Sequence, residues 1–232
     1  MDRRDVLRHI YRAALDRVGG RPTVRHAVEN APPEGPVHVL ALGKAAAAMA
    51  QGVIEAASEQ LESGLVVTKT GHTGRAVELD PRFHCLEAAH PIPDASSLEA
   101  GEAVVRFLDE LPADDELIIL LSGGASSLVE SLPEGFGADH LAELNRWLLN
   151  QPLTIQQVNG VRRAVSRIKG GRLGLHLRGR PARQYIISDV PGDDPAVIGS
   201  GPFVPSVSEP ELPADAPAWV PAAAARAPAP PD

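Results

Sequence analysis

Residues 116–127 read Glu-Leu-Ile-Ile-Leu-Leu-Ser-Gly-Gly-Ala-Ser-Ser, an apolar run that ends in a glycine-rich turn. A run without alternating polar residues is typical of a strand buried on both faces, as in parallel sheets. Further strands are predicted at 37–42, 64–68, 82–88 and 184–188, and helices at 5–18, 45–57, 96–111, 138–150 and 154–168. Strands that alternate with helices predict an α/β fold, with a mostly parallel sheet and helices on both faces.

The composition argues against several classes of protein. The chain has 232 residues and a net charge of −8, whereas nucleic-acid modules usually carry a basic surplus, so we expect no nucleic-acid partner. Cys85 is the single cysteine, which excludes an internal disulfide and fits a reducing cytoplasm. No apolar run reaches the roughly 18 residues of a spanning helix, and residues 1–5 lead into no signal-peptide core. We therefore expect a cytoplasmic protein without a membrane anchor.

The last part of the chain has a different composition. Residues 205–232 contain eight prolines and nine alanines and show no recurring apolar face. Such a segment is typical of disorder. We predict one domain over residues 1–204 and a disordered or loosely attached tail over 205–232.

Lysine is rare in this chain. Of the 22 basic residues, three are lysines: Lys44, Lys69 and Lys169. A GC-rich genome would explain the excess of arginine. Because an ammonium and a guanidinium are not interchangeable, the lysines are also candidates for positions that arginine would not serve.

The glycine-rich turn is a candidate anion site. Gly123 and Gly124 would let backbone amides approach an anion closely, Ser126 and Ser127 could add hydroxyl donors, and a helix is predicted to start there. The alternative is a tight turn in which a serine such as Ser122 caps the helix.

Lys44 follows Gly43 at the end of the first strand and opens a helix. A cation at the positive end of a helix dipole is unfavourable unless an anion lies opposite, which favours a phosphate-binding role.

Two further segments carry the charges that phosphoryl transfer uses. Residues 162–172 contain five cations, including Arg162, Lys169 and Arg172, which suggests an anionic ligand or, alternatively, a basic helix end that stops at two glycines. Asp189 and Asp193 follow the last strand and suit Mg²⁺, although Asp is frequent in any turn.

His90 and Asp94 lie in a proline-flanked loop and are weaker candidates for polar site groups. The chain contains neither a GxGxxG dinucleotide fingerprint nor a GxxxxGKS/T phosphate loop. Ligands of parallel α/β sheets bind beyond the carboxyl ends of the strands, where the motifs at 43–44, 69–72, 90–94, 122–127 and 189–194 are predicted to lie. The residues alone thus predict a Mg²⁺-dependent phosphoryl-transfer or nucleotide-binding domain.

Taken in order, the motifs resemble those of the glycerate 2-kinase family, whose carboxyl half is called the MOFRL domain. The resemblance covers about residues 5–206 and is carried by Gly43–Ala45, Val66–His72, His90–Asp94, Ser122–Leu128, Asn159–Leu173, Ser188–Asp194 and Ile198–Pro202. It implies ATP-dependent phosphorylation of the C2 hydroxyl of D-glycerate with Mg²⁺, in a cleft between a Rossmann-like amino-terminal lobe and the MOFRL lobe.

The resemblance also implies roles for individual residues. Lys44, Lys169 and Asp189 would be catalytic, and Asp189 and Asp193 would hold the metal. The implied binding residues for D-glycerate and ATP are Gly43, His90, Asp94, Ser122, Gly123, Gly124, Ser126, Ser127, Arg162 and Arg172.

The chain departs from the family pattern after Gly201-Pro202, where the MOFRL lobe is expected and the proline-rich tail follows instead. Two interpretations stay open. The chain is a kinase lobe that works with a separate MOFRL polypeptide or by self-association, or it is an inactive anion- or nucleotide-binding domain. Relatives have carried the label hydroxypyruvate reductase, and the missing dinucleotide fingerprint argues against that chemistry.

Overall fold

Five strands lie side by side in one parallel sheet. A computed structural model describes residues 2–205 and 212–230. Its strands are β1 (Val37–Leu42), β2 (Leu61–Lys69), β3 (Phe83–Ala88), β4 (Glu116–Ser122) and β5 (Ala182–Ile187). Their order is β3-β2-β1-β4-β5, and every neighbouring pair is parallel. The predicted α/β fold with a parallel sheet is confirmed.

The helices follow the predicted alternation with a few exceptions. They are α1 (Arg3–Val18), α2 (Gly20–Asn30), α3 (Ala46–Ala56), α4 (Arg75–Glu78), α5 (Ala95–Glu110), α6 (Ala125–Leu128), α7 (Ala138–Asn150), α8 (Ile155–Val165) and α9 (Val220–Ala224), with short 3-10 segments at Arg172–Leu177 and Ile198–Ser200. None of the helices over residues 2–205 and 212–230 is long and apolar enough to cross a membrane.

Alternating residues of the strands build two cores, one on each face of the sheet. On one face Leu40 and Ile119 pack with Val104 of α5. On the other face Val39 and Ile118 pack with Met49 of α3. Both faces of the sheet are therefore buried, which explains the near-continuous apolar runs of β1 and β4.

The first two helices differ from the prediction. The chain forms a helix over Gly20–Asn30, although glycine and proline near residue 20 argue against one. Pro22 lies in the first turn, where a proline breaks no intrahelical hydrogen bond. Helix α1 agrees with the helix predicted over 5–18, but none of its residues is buried. Its apolar side chains, such as Leu7 and Ile10, are exposed.

The structure describes residues 212–230 of the segment for which a disordered or loosely attached tail is predicted. Residues 212–230 pack against α7 and α8, and Val220 and Ala223 are buried in a third core with Leu144 and Val161. The Trp219 indole N–H donates to Glu143 Oε2 at 2.9 Å. A segment without a recurring apolar face can still contribute single residues, here Val220 and Ala223, to a core formed with two helices. Residues 206–211 and 231–232 lie outside the described part, and the boundary at residue 204 stays a prediction.

Candidate active site

Side chains from four strand ends meet at the carboxyl end of the sheet. Lys44 follows β1, His90 follows β3, Gly124 follows β4 and Asp189 follows β5. The Lys44 Nζ lies 3.5 Å from Asp189 Oδ2. The strand order reverses between β1 and β4, and ligands of doubly wound sheets bind at such a position. The tertiary structure therefore brings together Lys44, His90, Gly124 and Asp189, which are distant in the sequence.

The turns after β1 and β4 are locked to each other. The Lys44 N–H donates to the Gly123 carbonyl oxygen at 3.0 Å, and the Ala45 N–H donates to Ser122 Oγ at 3.0 Å. Gly43 has a φ of +121°, and a Cβ there would collide with Ser122. Ser122 is buried, so its hydroxyl holds two turns together and does not face solvent.

The two glycines after β4 make room for charged side chains. A Cβ at Gly123 would collide with the Asp189 carboxylate. A Cβ at Gly124, whose φ is +91°, would lie 2.9 Å from His90 Nε2 and 3.2 Å from Lys44 Cγ. Because neither glycine has a side chain, Asp189, His90 and Lys44 can approach the backbone of Gly123 and Gly124.

His90 is kept in its uncharged form by its surroundings. Partial burial lowers the pKa of the imidazole, and the positive charges of Lys44 and Lys69 lower it further, against the opposing effect of Asp189. A neutral imidazole can accept a hydrogen bond or a proton, so His90 suits a hydroxyl-bearing ligand.

Lys44 and Asp189 are accessible to a ligand. Their side chains are 43% and 60% exposed, so their ion pair contributes little to stability and is easily rearranged. The ammonium is thus available for phosphate or carboxylate oxygens, and the carboxylate for a cation.

The acidic turn fits Mg²⁺ that arrives with phosphate. Asp193 is exposed and has a φ of +50° in the turn that its N–H closes onto the Val190 carbonyl oxygen. Residues 2–205 and 212–230 contain no group of three or more His, Cys, Asp or Glu placed to hold a metal ion. Mg²⁺ usually takes one or two carboxylates together with waters and substrate phosphates, so Asp189 and Asp193 suit an ion whose other ligands come from a nucleotide.

Three other predicted residues hold local structure. The Ser127 hydroxyl donates to the Gly124 carbonyl oxygen at 3.0 Å, and the Ser126 Oγ lies 2.8 Å from Ser200 Oγ. The Asp94 carboxylate caps α5 by accepting from the Ser96 N–H at 2.8 Å.

The helix after the glycine turn, α6, is a single turn, whereas the sequence predicted a helix start without a length.

Lys169 is buried in an ion pair instead of facing solvent beside Lys44. Its side chain is 2% exposed, and its Nζ donates to Glu130 Oε2 at 2.6 Å and to the Val129 carbonyl oxygen at 3.0 Å. Burial lowers the pKa of Lys169, and the Glu130 charge opposes that effect. Glu130 also accepts from the Ser166 hydroxyl at 2.6 Å. The pair fastens the chain after α6 to the segment after α8.

The two predicted arginines also donate to the protein. Arg172 donates to the carbonyl oxygens of Arg163 and Pro228 at 2.6 Å and 2.5 Å. Arg162 donates to Asn145 Oδ1 at 3.3 Å. The basic segment thus joins α7, α8 and the tail, which is closer to the basic-helix-end alternative than to an exposed anion site.

Glu130 is the important residue that the sequence reasoning missed. Its signal was a single acid directly after the apolar Leu128-Val129. A carboxylate next to apolar residues needs a cation if it is buried, but the sequence does not say which of the three lysines or the arginines supplies it.

A protein-family model described as a domain of unknown function, DUF4147, matches residues 6–224. The chain belongs to this family. The match extends into the proline- and alanine-rich segment and includes α9.

Relatives and solved structures confirm the resemblance to the amino-terminal half of glycerate 2-kinases. The D-glycerate 2-kinase of Thermotoga maritima is 36% identical over 175 residues, which are 75% of this chain and 41% of that protein. A crystal structure of glycerate kinase from the same organism has a TM-score of 0.78 and 32% identity, and covers 86% of this chain and 47% of that one.

Another relative carries a different name. An Agrobacterium vitis protein named "Putative hydroxypyruvate reductase" is 40% identical over 219 residues, which are 94% of this chain and 48% of that protein. The chain therefore spans about half the length of the relatives it matches.

Proposed function

We propose that this domain takes part in the ATP-dependent phosphorylation of the C2 hydroxyl of D-glycerate, which gives 2-phosphoglycerate. The observation that carries the proposal is the meeting of Lys44, His90 and Asp189 at Gly123 and Gly124, where the strand order reverses. Relatives named glycerate 2-kinase support the choice of reaction.

Each residue has a role that its chemistry supports. Lys44 binds the transferred phosphate or the glycerate carboxylate, because its ammonium is exposed and its partner Asp189 is easily displaced. His90 orients the C2 hydroxyl as a neutral acceptor. Asp189 and Asp193 would hold Mg²⁺. When bound, the ion would offset the negative charge of the phosphates during transfer of the phosphoryl group.

The Glu130–Lys169 pair fixes the backbone that follows the candidate site. It fixes residues 129–130, which follow the glycine turn and α6, against the end of α8. Arg162 and Arg172 extend this support. We therefore assign Lys169 a positioning role in the proposed reaction, in place of direct contact with ATP.

A second wall of the cleft is required for fast turnover. Positioning of two reactants supplies a large part of catalysis, and Lys44 and Asp189 are open to solvent on this chain. We propose that a MOFRL-type polypeptide, or a second copy of this chain, supplies that wall.

The test measures ADP release that depends on both ATP and D-glycerate. The chain is assayed alone and with a purified MOFRL lobe from a glycerate 2-kinase, with and without Mg²⁺. We expect activity with the added lobe, and its loss in Lys44→Ala. The matched control is Arg8→Ala, since the Arg8 side chain is 71% exposed on α1.

Absence of turnover in every combination, with equal binding of ATP and glycerate by the wild type and Lys44→Ala, would overturn the proposal. Binding that depends on Lys44 without any turnover would favour the second candidate, an inactive anion- or nucleotide-binding domain. The solvent exposure of Lys44 and Asp189 is the observation that favours this alternative. Oxidation of NADH in the presence of hydroxypyruvate would instead support the reductase named for the Agrobacterium relative.

A further inference from the structure

A second group of reactive side chains lies at the opposite end of the sheet. His38 is at the start of β1, Ser63 is near the start of β2, and Asp115 directly precedes β4. These are the amino ends of three adjacent strands, so the group is separated from Lys44 and Asp189 by the length of the sheet.

The three side chains form a hydrogen-bonded chain. The Ser63 Oγ lies 2.7 Å from His38 Nδ1, and His38 Nε2 lies 3.0 Å from Asp115 Oδ2. Because an ionised carboxylate is only an acceptor, Asp115 places the imidazole proton on Nε2. With the proton on Nε2, the ring presents its Nδ1 lone pair to the Ser63 hydroxyl.

The imidazole is held in one orientation. Its side chain is 8% exposed and is flanked by hydrogen-bond partners on both neighbouring strands. A nucleophile within reach of a base, and a base oriented by a carboxylate, are the parts that activate serine for covalent chemistry, with the two ring nitrogens of His38 exchanged relative to the usual serine triad.

A cavity of about 540 Å³ lies beside Ser63 and His38 and is large enough for a small molecule. His38 and Ser63 both line it, and Phe83, Phe107 and Leu111 supply apolar wall. Gly64, next to Ser63, brings the Phe83 ring against the backbone, because a Cβ there would collide with the ring. Arg82, His84 and Glu110 line the same space, which is open to solvent, so a short acyl group would pack on the apolar side and its polar atoms would face the charged side.

We propose that Ser63 is an activated nucleophile that accepts an acyl group from small activated esters. The Ser63 Oγ attacks the ester carbonyl carbon, and its proton passes to His38 Nδ1. The bond from that carbon to the leaving alkoxide then breaks, which leaves an acyl ester on Ser63, a protonated His38 and the released alkoxide. Asp115 stabilises the imidazolium that forms.

The test uses p-nitrophenyl butyrate and the full-length chain. We expect a burst of one equivalent of p-nitrophenolate per chain, a matching mass increase of one butyryl group, and the adduct on the peptide that contains Ser63. Ser63→Ala abolishes the burst, whereas the control Ser58→Ala, which removes an exposed serine nearby, keeps it. His38→Gln and Asp115→Asn slow the burst, the former by about 100-fold or more.

Circular dichroism of each variant establishes that it is folded. If His38→Gln unfolds, the decision rests on Asp115→Asn and on wild type in urea, which should lose the Ser63 adduct. No adduct on Ser63, or an adduct that forms equally fast in Asp115→Asn or in urea, overturns the proposal and leaves the three groups as a strut between strands. Lys44→Ala should label like the wild type, so failure of the kinase proposal leaves this result unaffected.

Discussion

At the scale of single residues, the charge of one group is set by the groups that the fold places around it. His90 is half-buried and lies close enough to Lys44 and Lys69 for their positive charges to disfavour its own. Lys169 is fully enclosed and depends on Glu130. Both effects can be measured without any substrate.

The first prediction concerns the pKa of His90. In the folded protein we expect it below the ordinary value of about 6.5. Lys44→Met should raise it, because one of the positive charges that oppose imidazolium is removed. Proton NMR of the His90 ring across pH measures both values, with Arg8→Met as a control that leaves the titration unchanged. A pKa that stays in place in Lys44→Met would contradict the geometry.

The second prediction concerns the Glu130–Lys169 pair. Removing one partner leaves an uncompensated buried charge, so Glu130→Gln should lower the free energy of unfolding by about 3–5 kcal/mol. The double variant Glu130→Gln/Lys169→Met should recover much of that loss, because it leaves no buried ion. Urea unfolding of Glu130→Gln, Lys169→Met and the double variant measures the coupling. Additive losses would show that the ion pair is not formed.

At the scale of elements, the site depends on how two strand-ending turns fit together. Residue 43 needs a positive φ and lies against Ser122, so only glycine allows β1 and β4 to end side by side. This close approach also places the Lys44 N–H on the Gly123 carbonyl oxygen.

The third prediction is that Gly43→Ala destabilises the protein by roughly 1–3 kcal/mol through backbone strain alone, with the steric collision adding to that. The matched control is Gly35→Ala, where a Cβ meets nothing within 4 Å. This control should change stability by less than about 0.5 kcal/mol. Thermal and urea unfolding of both variants make the comparison. Equal stability of the two variants would show that the turns are not locked.

The fourth prediction concerns α9. Val220→Asp should lower the free energy of unfolding by about 2–3 kcal/mol, because it buries a charge between α7 and α8. Ala222→Asp places the same charge at an exposed position of the same helix and should be nearly neutral. Urea unfolding measures both. If Val220→Asp were as stable as Ala222→Asp, the tail would not be docked.

At the scale of the whole molecule, the open site predicts that ligand binding and global stability are linked. A ligand at about 100 times its dissociation constant stabilises the folded state by about 2.7 kcal/mol for each site that it fills. The protein is therefore mixed with ATP, Mg²⁺ and D-glycerate at such concentrations. For a chain of this size that stabilisation corresponds to a rise in Tm of roughly 5–10 °C. Differential scanning fluorimetry should show the rise in the wild type and its loss in Lys44→Ala. An equal rise in Lys44→Ala would remove Lys44 from the site.

The layered architecture could be predicted from local sequence. Strands buried on both faces need continuous apolar runs, and both β1 and β4 have them, so their bounds agree with the prediction to within one residue. The predicted helix at 138–150 has the observed bounds because its apolar spacing is regular. In contrast, α2 begins with glycines and a proline, and its stability comes from packing on α3, which local propensity does not report.

The candidate site could be predicted only in part. Glycines and charges at strand ends identified Lys44, Gly124, His90 and Asp189, because the carboxyl ends of parallel strands share one end of a sheet. The sequence could not separate them from Lys169, whose motif looks equally suited to anions. Residue spacing does not reveal whether a cation faces solvent or a buried acid.

Short-range apolar patterning thus predicts which segments become buried strands, and the glycines and charges that follow them predict at which end of the sheet the candidate site lies. How the charges pair depends on contacts between residues far apart in the chain. The tertiary structure set Lys169 on Glu130, docked α9 in the groove between α7 and α8, and joined Ser63, His38 and Asp115 across three strands. These contacts connect residues far apart in the chain, and their energies depend on burial and distance that no local pattern contains.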